Sequence, residues 1–121
     1  MNFNSVLIGS ENPQQLAEYY TKLFGEPTWN EGGYIGWMIG SGAVTIGPHD
    51  QVKGKNAEPG RVIWNVETAE VKSEFDRFVA AGATVVQEYS PGEEMDGLIA
   101  TFADPDGNYF QLMSPMGPEG S

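Results

Sequence analysis

The chain has 121 residues, 17 acidic against 6 basic side chains, a net charge of −11, one histidine and no cysteine. At this size it exposes about 19,000 Å² unfolded and about 6,400 Å² folded, enough burial for one domain or two small modules sharing a core. The composition excludes a disulfide framework, a thiolate nucleophile, Cys-ligated metal and three-histidine zinc, and the acidity argues against nucleic acid, whose phosphates need clustered Lys and Arg.

Asn2 to Ile8, rich in Val, Leu and Ile, predicts a strand. Asn12 then stands as an N-cap, with Pro13 at the first helical position and Gln15 three residues after the cap. Leu16, Tyr19, Tyr20, Leu23 and Phe24 fall on one helical face, and Gly25 stops the helix. Pro27 to Pro48 reads as three short strands, including Tyr34–Ile39 and Ala43–Ile46, divided by Glu31-Gly32-Gly33 and Gly40-Ser41-Gly42. His49 to Gly60 is a polar linker.

The pattern then repeats. Arg61 to Val66 predicts a strand, and Thr68 caps a second amphipathic helix carrying Val71, Phe75, Phe78 and Val79 and closing near Gly82. Strands follow at Ala83 to Tyr89, Leu98–Ala103 and Asn108–Met113, the last two joined by Asp104-Pro105-Asp106-Gly107. The order is strand, helix and three strands, used twice. No apolar run approaches a membrane span and no signal peptide is visible, so a cytoplasmic protein without membrane association is expected.

The run Ile99-Ala100-Thr101-Phe102-Ala103-Asp104-Pro105-Asp106-Gly107-Asn108-Tyr109-Phe110-Gln111-Leu112 is similar to the closing hairpin of the vicinal oxygen chelate superfamily. That superfamily includes glyoxalase I, extradiol dioxygenases and bleomycin-binding proteins. Val6-Leu7-Ile8, Tyr19-Tyr20 and Leu23-Phe24-Gly25 resemble its opening strand and helix. The resemblance implies an α+β fold: two βαβββ modules, 1–57 and 58–115, forming one domain, an incomplete barrel around a central cup. A flexible tail follows at 116–121. It also implies a homodimer, and the linker from Gln51 to Pro59 would permit exchange of modules.

In the superfamily's enzymes, the first and fourth strands of each module offer His or Glu to a divalent metal. The matching positions here are Asn4, Thr45, Arg61 and Gln111. None is a good ligand for zinc, nickel or iron, and Arg61 would place a fixed cation where the metal sits. A slip of one residue brings Ser5, Val44, Val62 and Phe110 or Leu112, which are no better. The expectation is a protein with no metal and no cofactor.

Asn4, Arg61 and Gln111, with Asn65 on the same strand face as Arg61, would form a polar floor suited to a carboxylate, phosphate or carbonyl-rich ligand. Alternatively Arg61 pairs with one of the many acids. Trp29, Tyr34, Trp37, Tyr89, Tyr109 and Met113 supply either an aromatic wall for a planar ligand or ordinary core, whereas strand alternation puts Trp64 in the core. His49 beside Asp50 reads as a general base or as an exposed loop histidine, and Glu93, Glu94 and Asp96 as an acidic lid or a solvated loop. Asp104 to Asn108 lacks the spacing of a calcium loop, and Gly40 and Gly42 lack that of a dinucleotide site.

The leading expectation is a metal-independent protein that binds or sequesters a planar or anionic small molecule. The alternatives are a lyase or isomerase with Arg61 as electrophile and His49 or a carboxylate as base, a dioxygenase-like metal enzyme acting on a small carbonyl or carboxylate compound, and a pure interaction module.

Overall fold

The computed structural model describes residues 1–91 and 98–115, the side chains of residues 90 and 91 excepted. The acidic loop with Glu93, Glu94 and Asp96, and the tail at 116–121, lie outside the described residues. Two compact units divide between Lys55 and Asn56.

The first unit runs β1 (Ser5–Ser10), α1 (Pro13–Phe24), β2 (Trp29–Glu31), β3 (Tyr34–Ile39) and β4 (Gly42–Pro48). Its sheet has the order β1-β4-β3-β2, with β1 parallel to β4 and the other pairs antiparallel. The strand expected from Asn2 starts at Ser5, because its ladder with β4 opens at the Ser5↔Ala43 pair. The α1 signals work as expected: Asn12 accepts a hydrogen bond from the Gln15 N–H at 3.4 Å, and Gly25 ends the helix at φ 87°. Leu16, Ala17, Tyr20 and Leu23 bury one helix face against Ile8, Ile35, Trp37, Val44 and Ile46.

The second unit repeats the plan with β5 (Trp64–Glu67), α2 (Val71–Ala80), β6 (Thr84–Pro91), β7 (Leu98–Ala103) and β8 (Tyr109–Met113), in the order β5-β8-β7-β6. Again the first strand runs parallel to the last. Glu70, not Thr68, occupies the N-cap position of α2; the Thr68 hydroxyl instead accepts from the Glu70 N–H at 3.0 Å, making a turn just upstream. At the other end Gly82 takes φ 103°, with bonds from Gly82 N–H to Val79 and from Ala83 N–H to Phe78, a Schellman closure. The core is aromatic: Phe102 lies 5.3 to 5.6 Å from Phe75, Phe78 and Phe110, and Trp64 stacks on Phe110 at 5.3 Å, the core position expected for it.

In each unit the helix covers one sheet face and leaves the other uncovered by it. The helix therefore decides, strand by strand, which side chains belong to the core and which to the open face. No helix of the described residues is long and apolar enough to cross a membrane.

Candidate functional site

On the first sheet, Val6, Ile8 and Ser10 of β1 turn towards α1, so Ser5, Leu7 and Gly9 take the open face. The same alternation puts Thr45 and Gly47 of β4, Tyr34, Gly36 and Met38 of β3, and Trp29 and Glu31 of β2 on that face. Leu7 pairs with Thr45, Thr45 with Gly36 and Gly36 with Trp29, giving one row across all four strands. Leu7 is 61% exposed, Met38 50% and Tyr34 42%. The Trp29 indole crosses directly over Gly36, and the Tyr34 ring over Gly47.

The second open face is polar. Asn65 and Glu67 of β5, Tyr109, Gln111 and Met113 of β8, Ile99 and Thr101 of β7, and Gln87 of β6 alternate with the helix-facing core. Asn65 pairs with Gln111, Gln111 with Thr101 and Thr101 with Gln87, a row of neutral hydrogen-bonding side chains across the whole sheet. The Gln111 amide donates to the Thr101 hydroxyl at 2.9 Å, and Thr101 is buried.

Of the residues proposed from the sequence, Thr45, Tyr34, Asn65, Tyr109 and Gln111 stand on open faces. Four other residues do not. Asn4 precedes β1 and pairs with no strand; Ser5 is the first open-face residue there. Arg61 belongs to a 3-10 turn, Pro59–Arg61, rather than to β5; its side chain is 75% exposed and its guanidinium pairs with Glu58 at 2.5 Å. The Pro-Gly step before it makes that turn, and Glu58 at i−3 holds it there. Trp37 is buried on the helix side, donating from Nε1 to the Gly25 carbonyl at 2.8 Å, with Tyr20 6.2 Å away. Tyr89 meets Phe75 edge-on at 5.1 Å, on the α2 side.

His49 is half exposed; its Nδ1 accepts from the Gln51 N–H at 3.2 Å and lies 3.9 Å from an exposed Asp50 carboxylate. The Asp104 turn is a structural device. Its carboxylate accepts from the N–H groups of Asp106 and Asn108 at 2.9 Å and from the Asn108 amide. The linker is fastened on both sides of the division, Gly54 N–H to Glu11 at 2.8 Å and Asn56 N–H to the Asp106 carbonyl at 2.8 Å. A groove of about 450 Å³ between α1 and β2, floored by Ala17 and Ile35, lies on the helix side of the first sheet and shares no residue with either open face.

The open faces also test the fit of a metal. On the first and last strands of each unit they present Ser5, Leu7, Gly9, Thr45, Gly47, Asn65, Tyr109, Gln111 and Met113, with Glu67 as the one carboxylate. No group of three or more His, Cys, Asp or Glu side chains comes together among the described residues. Zinc, nickel and iron require imidazole, thiolate or carboxylate, so this donor set does not fit such an ion.

Thr101, on the regular β7 strand, was not singled out in the sequence, and Gln87 was not legible as a site residue. The β6 pairing has irregularities between Val85 and Gln87 and between Gln87 and Ser90, which break the alternation by which a sequence reveals its faces.

No protein of curated function matches the chain in sequence. Among solved structures, it is similar to a glyoxalase-related enzyme from Fulvimarina pelagi, with 21% identity over 100% of this chain and 96% of the other, at a TM-score of 0.74. It is also similar to TioX from Micromonospora sp. ML1, with 16% identity over 96% and 100% of the two chains, at a TM-score of 0.76. A glyoxalase/bleomycin resistance protein/dioxygenase family enzyme from Burkholderia phytofirmans PsJN gives 17% identity, the same coverage and a TM-score of 0.74. At such identities these likenesses concern the fold. The family model for the glyoxalase-like domain matches residues 5–113, nearly the whole sequence. With paired βαβββ units to accompany that match, the chain belongs to the glyoxalase-like domain family, within the vicinal oxygen chelate superfamily.

Proposed function

We propose that this protein binds a small molecule without a divalent metal, using the open face of its second sheet for polar recognition. The observation that carries this reading is the row of Asn65, Gln111, Thr101 and Gln87. One member, Gln111, matches by resemblance a metal-ligand position of the superfamily's enzymes, and the row offers neutral donors and acceptors. Amides and hydroxyls arrayed at strand spacing suit a ligand with several carbonyl and N–H groups.

The withdrawal of Arg61 into its ion pair with Glu58 turns the proposal away from an anionic ligand. Among the described residues assigned to the open faces, the charged side chains are Glu31 and Glu67, both carboxylates. The same placement deprives a lyase or isomerase mechanism of its candidate electrophile, so the binding reading is favoured. A homodimer is proposed from the family resemblance, and light scattering on a sizing column tests it.

Thermal-shift screening of the purified protein with a panel of neutral, cationic and anionic metabolites and antibiotics tests the binding reading. Stabilisation by neutral or cationic members is expected, and a panel without a single stabilising compound counts decisively against it. Loading with nickel, zinc or manganese followed by elemental analysis tests the metal: stoichiometric retention after dialysis overturns metal independence.

A further inference from the structure

We infer that the open face of the first sheet is a ring-stacking platform for a planar aromatic ligand without negative charge. This rests on the small-molecule reading above and names the ligand class. Three glycines line this face, Gly9, Gly36 and Gly47, one on each of the three longer strands. Two of them have a ring directly above, and the third is bordered by His49 and Val52. Trp29 lies across its own cross-strand partner Gly36, and Tyr34 lies over Gly47. His49 sets its Cβ 3.0 Å from the point where a Gly9 Cβ would stand. Since Gly9 pairs with Gly47, the histidine and the tyrosine occupy neighbouring glycine sites.

A side chain at Gly36 or Gly47 would lift the ring above it, and one at Gly9 would press on the His49 Cβ, so the first two glycines allow their rings to lie close to the backbone. Rings seated in this way have little freedom left to lose when a ligand stacks on them, the condition for affinity from a flat contact. Tyr34 is 42% exposed and His49 52%, so the layer is open to a ligand rather than sealed. The charge preference follows from the same face. Aromatic ring faces attract cations, Glu31 shares the face, and the chain carries a net charge of −11.

The test uses three probes in 0.15 M salt: proflavine, a planar cation; 9-anthracenecarboxylate, a planar anion; and cyclohexylammonium, a cation without a planar ring. Affinities come from fluorescence polarisation for the first two and from competition for the third. Proflavine is expected to bind at least tenfold more tightly than either of the others. Trp29→Ala and Tyr34→Ala are each expected to weaken it at least tenfold, and Trp29→Phe to restore most of the loss. Both alanine variants keep the net charge, so unspecific attraction to an acidic protein would survive them. Unchanged proflavine affinity in both, or equal binding of the anion, overturns the platform. Amide chemical shifts separate this outcome from the function reading. Proflavine shifts confined to Asn65, Thr101 and Gln111 would refute the platform and leave small-molecule binding standing. Failure of the thermal-shift panel would remove the function reading itself.

Discussion

Replacing Gly36 by alanine probes the seated-ring geometry most directly. A Cβ at that position would come within 3.0 Å of Cε2, Cζ2 and Nε1 of Trp29, closer than real Cβ contacts fall. Trp29 sits on a three-residue edge strand held by the pairs to Gly36, Ile35 and Tyr34, so the indole can rise only by disturbing that ladder. Forcing a methyl group into an occupied site of this kind costs about 1–3 kcal/mol. Against this, Gly36 has no positive φ, and alanine in a strand is favoured over glycine by about 0.5–1 kcal/mol. The net expected loss is about 1–2 kcal/mol, a fall in Tm of roughly 4 °C per kcal/mol for a chain of this length. In a Trp29→Ala background the obstruction is gone and only the backbone preference remains, so Gly36→Ala becomes stabilising by about 0.5–1 kcal/mol. The sign of the effect inverts between backgrounds. Urea unfolding of the four members of the cycle measures this directly, with a coupling energy of about 1–3 kcal/mol expected. Equal effects of Gly36→Ala in the two backgrounds would refute the packing of Trp29 over Gly36.

Four further variants bear on the second unit. Gln111→Ala removes the partner of the buried Thr101 hydroxyl and is expected to cost about 1–3 kcal/mol in urea unfolding, while Gln111→Met combined with Thr101→Val costs less, about 1 kcal/mol or under, because both polar groups leave together. Arg61→Ala breaks only an exposed ion pair; a loss of at most about 1 kcal/mol is expected, with no change in the affinity of any ligand found by the panel. Asp104→Ala deprives two backbone N–H groups and the Asn108 amide of their acceptor. Since the carboxylate is buried, a loss of about 2–4 kcal/mol is expected, read as a lowered urea midpoint at constant slope.

The sequence was most informative where one local signal had no competitor. Asn12, Pro13 and Gly25 bound α1 without help from the rest of the chain, and the Asp104-Pro105-Asp106-Gly107 turn carries its own acceptor for Asn108. Strand faces were harder. Val6, Leu7 and Ile8 are all apolar, as are Trp37, Met38 and Ile39, and an unbroken apolar run has no period from which to choose a face. Asn4 and Ser5 could therefore exchange roles, and Trp37 could be taken for a wall residue although its indole N–H is committed to the end of α1. Arg61 is a different case. The Pro59-Gly60 pair is a turn signal, and Glu58 stands at the right spacing for an ion pair, but the apolar residues that follow favoured an early strand start. Tertiary pairing decides it, because the β5 ladder begins at Trp64↔Phe110.

The two units use one topology for different chemistry, and the difference is confined to the side their helices do not cover. Towards the helices both present mainly apolar side chains, because a helix packed on a sheet leaves a volume that such residues fill. Away from the helices the constraint lapses. The corresponding rows are Leu7, Thr45, Gly36 and Trp29 in one unit, and Asn65, Gln111, Thr101 and Gln87 in the other. A ligand on one row would be recognised differently from a ligand on the other. An apolar or ring surface discriminates weakly between analogues of similar shape, since a missing methylene changes affinity by only about 10- to 200-fold. A site built from hydrogen-bonding groups rejects an analogue that leaves them unpaired by about 10⁴-fold or more. For planar ligands on the platform of the first unit, then, substitutions at Trp29 and Tyr34 should lower affinity across the whole series by similar factors. For ligands on the polar face of the second unit, substitutions at Gln111 and Asn65 should change the order of the series, and a panel of close analogues measured for each unit against its own variants distinguishes the two behaviours.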